Sequence, residues 1–425
     1  MKINVKMDMD RIPVGTDFTV RAMLEMEADG PVVETKAPLN LALVLDRSGS
    51  MAGEKLRNVK KAAQALVAGL ADTDIFSLTI FDDDVTPLVQ PCMVRNAGIN
   101  EDIDGIRSGG STFLSGGYEQ GRRFINQSRN AGNISRVILL TDGLANRGIQ
   151  SVEGLAGLAS EMRAEGITTT TLGVGMDYNE ELLGRMAEVG GGGAYFIERA
   201  DEAEAVFNEE LRTLKTLSVT GCEVTFVPSK QIIGFDQMNT FAEPQHGTYV
   251  LGDVYGGVTK RLVLELRVQA MKQPGPFSAG TFTINYKDAA EDGLKDRTMT
   301  LDVAMEAVTR EEFNSVEPDQ MVSCQAALCL GAIAKKKARE LAVDGRFDDA
   351  AGVLDASAEA IAVLNLDDAA VKDLVKDLKT RARRMRQERE QFFTGRERKR
   401  MYHESNMTSK SVSDKLAFMV ARRRN

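Results

Sequence analysis

Apolar and polar positions alternate at the start of the chain: Ile3, Val5, Met7 and Met9, then Phe18, Val20, Ala22, Leu24 and Met26, with Pro13 and Gly15 between them. A period of two predicts a pair of half-buried strands, turned at Pro13 and Gly15. Two strands are not stable alone, so they require partners from elsewhere in the chain. From Pro38 the pattern changes. Residues 39–45 form a nearly continuous apolar run, the mark of a strand covered on both faces. A helical stripe follows at Leu56, Val59, Ala63, Leu66, Val67 and Leu70. Strands are then predicted at about 74–81, 137–140, 167–174 and 194–197, and helices from near Ser115 and at about 151–164, 179–188 and 201–216. Strands alternating with helices require crossover connections, hence an α/β domain with a doubly wound, mainly parallel sheet.

Near 217 the alternation returns, with strands predicted at 219–227, 248–254, 261–268, 280–286 and 298–303. These supply the missing partners of the N-terminal pair and imply an antiparallel β-sandwich interrupted by the inserted α/β domain. From about 309 the chain is helical. One stripe runs over 319–341, and after Asp344-Gly345 a second follows at Phe347, Ala350, Val353, Leu354 and Ala358. The segment 345–350 is similar to one tetratricopeptide-type hairpin, but such repeats need about three copies to stack. No second copy is found, and a helical hairpin packed on the body is expected. A last helix from 367 to about 393 places Val371, Leu374, Leu378 and Met385 on one side and then becomes arginine-rich. The division expected is 1–37 and 217–308 for the sandwich, 38–216 for the α/β domain, 309–393 for the helical region and 394–425 for a disordered basic tail.

Composition bounds the chemistry. The 425 residues include 53 Lys+Arg and 62 Asp+Glu, a net charge of −9. That charge is uneven: from Lys379 onward 15 basic residues face 5 acidic ones, which makes a +10 tail on a −19 body. No apolar run approaches the roughly 18–20 residues of a membrane span, and the N-terminus lacks a signal-peptide core. Cys92, Cys222, Cys324 and Cys329 form no CxxC pair and read as free thiols of a reducing compartment, so a cytoplasmic setting is expected. The chain has two histidines, His246 and His403, and no tryptophan. That excludes His-rich zinc sites and leaves little for Ser-His-Asp catalysis.

The strand at 39–45 runs into Asp46-Arg47-Ser48-Gly49-Ser50-Met51. Ligands of doubly wound sheets bind at the carboxyl ends of the strands, and this DxSxS loop sets one carboxylate and two hydroxyls there. Gly109-Gly110-Ser111-Thr112 offers a third hydroxyl, Thr112, and the strand at 137–140 ends in Thr141-Asp142-Gly143, a second carboxylate. Asp46, Ser48, Ser50, Thr112 and Asp142 are hard oxygen donors suited to Mg²⁺ or Mn²⁺.

On these residues the chain from Pro38 to about Thr216 resembles a von Willebrand factor A domain, and the five match its metal-ion-dependent adhesion site. The resemblance implies a bound divalent cation, Mg²⁺ with Mn²⁺ or Ca²⁺ as alternatives, and an open coordination position. An Asp or Glu of a partner protein fills that position, so the implied role is protein–protein contact and not catalysis. An A domain set between halves of a sandwich is similar to bacterial relatives of inter-alpha-trypsin inhibitor heavy chains and to calcium-activated chloride channel-like proteins. Some cytoplasmic bacterial A-domain proteins work beside AAA+ ATPases of the MoxR type, which makes such an ATPase a candidate partner.

Two other functions stay open: a metal-assisted hydrolase using the same cation, and an assembly protein acting through its tail. The first lacks an obvious general base beyond the ligands. Asp82-Asp83-Asp84 follows the second strand of the α/β domain and admits an extra cation site, but is expected to be a solvated turn. Gly173-Val174-Gly175 and the glycines at 190–193 match no phosphate-binding motif and are expected in tight loops. His246 is expected in a surface loop, and Cys324 and Cys329 in a core. The basic clusters (Arg381, Arg383, Arg384 and Arg386; Arg396, Arg398, Lys399 and Arg400; Arg422 to Arg424), with the apolar patch at 416–420, admit three readings. They are a solvated tail, a surface docking on an acidic partner or on the protein's own body, or a nucleic-acid contact with steep salt dependence.

Overall fold

The alternating N-terminal segment folds as β1 (Lys2–Met7), β2 (Arg11–Pro13) and β3 (Phe18–Glu27). The computed structural model describes residues 1–28, 37–95, 98–130, 132–142, 145–175, 178–197, 199–241, 244, 247–289 and 294–410. β1 pairs antiparallel with β3. Pro13 does not make the expected turn. It closes β2, which runs parallel to the last strand among the described residues at the edge of another sheet, where the missing N–H is tolerated. Gly15, at φ +83°, makes the bend.

The α/β part comprises β4 (Leu39–Asp46), α1 (Glu54–Gly69), β5 (Ile75–Phe81), β6 (Val85–Met93), α2 (Ile99–Gly105), α3 (Leu114–Ser128), β7 (Ile134–Thr141), α4 (Val152–Ala164), β8 (Ile167–Val174), α5 (Glu180–Val189), β9 (Gly191–Ile197) and α6 (Ala203–Lys215). The sheet order is β6-β5-β4-β7-β8-β9. All its pairings are parallel except β5 with β6, so the doubly wound, mainly parallel reading holds. β4 is buried throughout because its two faces meet different helices: Leu41, Leu43 and Leu45 pack with α1 and α6, while Ala42 and Val44 pack with α3 and α4. The edge strand β6 and helix α2 have no counterpart among the sequence-derived elements. Pro87 and Pro91 argue against a strand interior but are compatible with an edge. The glycines of 191–193 lie in β9 and not in a loop. A Cβ on Gly192 would stand 2.2 Å from the Thr169 carbonyl oxygen.

The chain then adds β10 (Leu217–Pro228), β11 (Ile232–Gln237), β12 (Thr248–Tyr255), β13 (Thr259–Val268), β14 (Gly275–Asp288) and β15 (Lys295–Val308). One sheet has the order β1-β3-β13-β11 and the other β12-β10-β14-β15-β2. β3 pairs with β13 along its length, Leu24 opposite Leu262. Val20, Leu24, Leu262 and Leu264 of the first sheet share one core with Val224, Phe226, Phe282 and Ile284 of the second. His246 lies outside the described residues.

The helices α7 (Arg310–Phe313), α8 (Gln320–Val343), α9 (Phe347–Val363), α10 (Ala369–Glu388) and α11 (Gly395–Lys410) complete the described residues. Gly345, at φ +75°, turns α8 into α9. The expectation of a disordered tail beyond 394 is overturned for 395–410, which form α11 packed against α8. Its charges are used internally. Arg381 pairs with Asp377 at 3.0 Å, with Glu404 at 2.8 Å and with Glu397, and Lys335 joins Asp377 at 2.7 Å. Arg398 and Lys399 pair with Glu180 of α5, so two of the three basic clusters contribute to docking on the protein's own body. Arg422 to Arg424 and the 416–420 patch lie outside the described residues.

Burial pushes the Asp377 carboxyl up, but the Lys335 ammonium and Arg381 guanidinium outweigh it and hold it at about 2. A depressed carboxyl stabilises the fold above its unfolded value and loses that contribution as the pH falls through its folded value. Asp377→Asn is therefore expected to cost about 2 kcal/mol at pH 6. Urea unfolding at a series of pH values should show the gap between variant and wild type closing from about pH 4 down to about pH 2.

Candidate metal centre

β4 delivers Asp46 to the carboxyl edge of the six-stranded sheet, between the ends of β5 and β7. Asp46 is fully buried. Its Oδ1 accepts the Ser48 N–H at 2.7 Å and its Oδ2 the Thr141 hydroxyl at 2.5 Å. The first bond closes a short Asx turn over Arg47. The next residues, Gly49–Met51, make a single 3-10 turn anchored by the buried Met51. Ser48 and Ser50 Oγ atoms come to 3.1 Å of each other. The Ser50 hydroxyl donates to Asp142 Oδ1 at 2.7 Å, and Asp142 Oδ2 accepts the ammonium of Lys55 from the first turn of α1.

The second loop is tied to the first by backbone. The Gly109 N–H donates to the Arg47 carbonyl at 2.7 Å and the Gly49 N–H to the Gly110 carbonyl at 2.9 Å. Gly109 is held by close approach to a buried side chain, since a Cβ there would fall 1.7 Å from Asp82 Oδ2; at position 110 a Cβ would fall 1.7 Å from Oδ2 of the exposed Asp83. The reading of 82–84 as a solvated turn holds for Asp83 and Asp84, which are exposed, but not for Asp82. Asp82 is buried and pairs with Arg47 at 3.0 Å. Asp83 accepts the Ser111 N–H at 3.2 Å and the Ser111 hydroxyl, and its carbonyl accepts Arg147. Asn146 holds Thr112 from the third loop, its Oδ1 accepting the Thr112 N–H at 2.8 Å and its N–H donating back to the Thr112 carbonyl at 3.2 Å. The Thr112 hydroxyl makes no hydrogen bond among the described residues, which leaves its lone pairs free.

Four of the five sequence-derived residues are thus joined by direct hydrogen bonds or through one neighbour. Thr112 is brought to the same edge by the Gly109 and Gly110 contacts. Lys55 and Asn146 are supporting residues that the sequence pattern did not single out, and Asp82 and Thr141, noted there in other roles, support the site as well. Asp82 carried a signal, since it directly follows β5 at the edge where Asp46 ends β4. Burial lifts the Asp46 carboxyl to about 6 against the hydrogen bonds from Thr141 and Ser48, and the Asp142 charge adds to the rise. A dication beside the two carboxylates would reverse it.

The donor chemistry fits a hard divalent cation. Two carboxylates and three hydroxyls are oxygen ligands, with no thiolate or imidazole among them. Among the described residues no group of three or more His, Cys, Asp or Glu is gathered to hold a metal, at this edge or at any other place, so hydroxyls would have to supply much of any shell. No helix among the described residues is long and apolar enough to cross a membrane.

Residues 40–209 match the family model of the von Willebrand factor type A domain. The chain therefore carries a VWA domain, a module that often binds a divalent metal and often mediates metal-dependent protein–protein interaction. The uncharacterized protein YfbK of Escherichia coli (strain K12) is 29% identical over 244 residues, which span 55% of this chain and 42% of that protein. Human inter-alpha-trypsin inhibitor heavy chain H3 is 27% identical over 223 residues, 50% of this chain and 25% of its own. The chain thus matches less than half the length of either relative. A solved structure, described as a von Willebrand factor type A protein from Catenulispora acidiphila, covers 97% of both chains with a TM-score of 0.71 at 14% identity. At that identity the likeness concerns the fold alone.

Proposed function

We propose that the protein is a metal-dependent binding module that grips an acidic side chain of a partner protein. The observation that carries this reading is the convergence of two buried carboxylates, Asp46 and Asp142, with the hydroxyls of Ser48, Ser50 and Thr112 at one sheet edge. These five would hold Mg²⁺ or a similar cation, which would offer an electrophilic position for an Asp or Glu from outside. Mg²⁺ demands six oxygens and is usually held by few protein carboxylates, so an external ligand is natural here. The loops that carry the donors are braced by Asp82, Asn146 and paired glycines, which suits a site that must hold its shape before the partner arrives.

The test is capture of binding partners by the full chain in Mg²⁺ and in EDTA, with direct Mn²⁺ titration alongside. Asp142→Ala is expected to weaken Mn²⁺ binding by more than about 100-fold, beyond the 10–100-fold usual for supporting residues, and to lose every partner that EDTA releases. Partners retained equally by the wild type in EDTA and by a folded Asp142→Ala variant would overturn the reading.

A further inference from the structure

Lys55 is the one ammonium that enters the donor cluster among the described residues. It sits at the second position of α1, just after Gly53, whose φ of +79° lets the chain turn sharply into the helix. Its Nζ bonds Asp142 Oδ2, while Asp142 Oδ1 takes the Ser50 hydroxyl. Asp46 has both oxygens engaged as well, by the Ser48 N–H and the Thr141 hydroxyl. With the Ser50 proton on Asp142, the Ser48 hydroxyl donates to Ser50 Oγ. Both carboxylates of the donor set are thus taken up within it, and Lys55 supplies its positive charge.

A dication drawn to Asp142 meets that ammonium at the same carboxylate. Like charges on one carboxylate repel, and a lysine side chain is long and flexible. This one is 30% exposed, so its head has a path to water, whereas Asp142 is 1% exposed and has none. The mobile partner is therefore the lysine. The geometry points to Lys55 as a built-in competitor for the cation: its ammonium holds Asp142 in the cation-free state and leaves for solvent when a divalent metal binds. The cation affinity of the site is then set lower than its five oxygen donors alone would give. The site responds to the cation concentration instead of staying saturated. This rests on the metal-dependent reading above.

Mn²⁺ titration by calorimetry on the full chain tests it, with wild type, Lys55→Met, Lys55→Arg and Asp46→Ala. Methionine keeps an apolar stem and removes the charge. Lys55→Met is expected to bind Mn²⁺ at least about tenfold more tightly than wild type, the worth of one charge-assisted hydrogen bond. Lys55→Arg, which restores a cation, should fall back toward wild type. The melting temperature in EDTA gives a readout independent of binding. Lys55→Met should melt lower than wild type in EDTA, because Asp142 loses its partner, and should gain more on adding Mn²⁺. Mn²⁺ affinity of Lys55→Met equal to or weaker than wild type, while Asp46→Ala loses binding, would overturn the competitor role and leave the metal reading intact. Absence of Mn²⁺ binding in both wild type and Lys55→Met would overturn both.

Discussion

Replacing Arg136 by methionine is expected to cost about 3–5 kcal/mol, the usual result of removing one partner from a buried ion cluster. Arg136 lies on β7 with no exposure, and its two partners, Glu210 on α6 and Asp253 on β12, are each 1% exposed. Its guanidinium bonds Thr170 at 2.8 Å, Glu210 at 3.2 Å and Asp253. The cluster spans the boundary between the α/β part and the sandwich, so one side chain neutralises carboxylates contributed by both. Methionine fills much of the stem's volume but leaves two carboxylates buried with hydroxyl donors, Thr170 and Tyr195 on Glu210 and Thr220 on Asp253. The loss comes from stranded charge and not from a missing attraction. The triple change Arg136→Met, Glu210→Gln and Asp253→Asn is therefore expected to recover most of it. Urea unfolding followed by fluorescence and by far-ultraviolet circular dichroism measures both. A single variant within about 1 kcal/mol of wild type would show that the boundary is held by apolar packing instead.

The parts of the fold visible in the sequence are those whose burial is uniform. β4 reads as a continuous apolar run because helices cover both its faces, and β3 and β13 alternate because only one face is covered. β6 is hidden by its two prolines, which an edge position accommodates. Asp46, Ser48 and Ser50 are legible because one tight turn carries all three. Thr112 and Asp142 follow from strand order, since each stands after an element that ends at the same sheet edge. The supporting residues are a different matter. Lys55 meets Asp142 across 87 positions, and Asn146 meets Thr112 across 34; such pairings exist only once the loops are assembled. The tail misled for a related reason. Its composition is that of a solvated basic segment, but Arg398 and Lys399 are answered by Glu180, 219 positions from Lys399, and its acids Glu397 and Glu404 face Arg381 on the neighbouring helix. Composition records the charges on a segment and not the acids that will face them.

Removing one such acid should release the last helix. Lys399 on α11 is fully buried, its ammonium donating to the Tyr178 carbonyl at 2.7 Å and to Glu180 Oε2 at 2.8 Å, and lying 3.8 Å from the Tyr178 ring centre. Arg398 pairs with the other oxygen of Glu180 at 2.7 Å. Glu180→Ala withdraws the carboxylate from both cations, and a buried ammonium without its carboxylate costs about 3–5 kcal/mol. A helix near the end of the described chain has a cheaper route than global unfolding: it undocks, and Lys399 regains water. Undocking limits the cost to the stability of the α11 contact, which hydrogen exchange reads directly. Amide protection over 395–410 is expected to fall by about two orders of magnitude, equivalent to roughly 3 kcal/mol, with the sandwich strands unchanged. Gly184→Ala supplies an independent wedge at the same surface, since a Cβ there would stand 1.8 Å from the Tyr402 hydroxyl oxygen. If both substitutions act by lifting one helix, the double variant should lose less than the sum of the two, because a helix already released cannot be released again. Unchanged protection in Glu180→Ala would instead assign the docking of α11 to the network of Arg381, Glu404 and Lys335 on its other side.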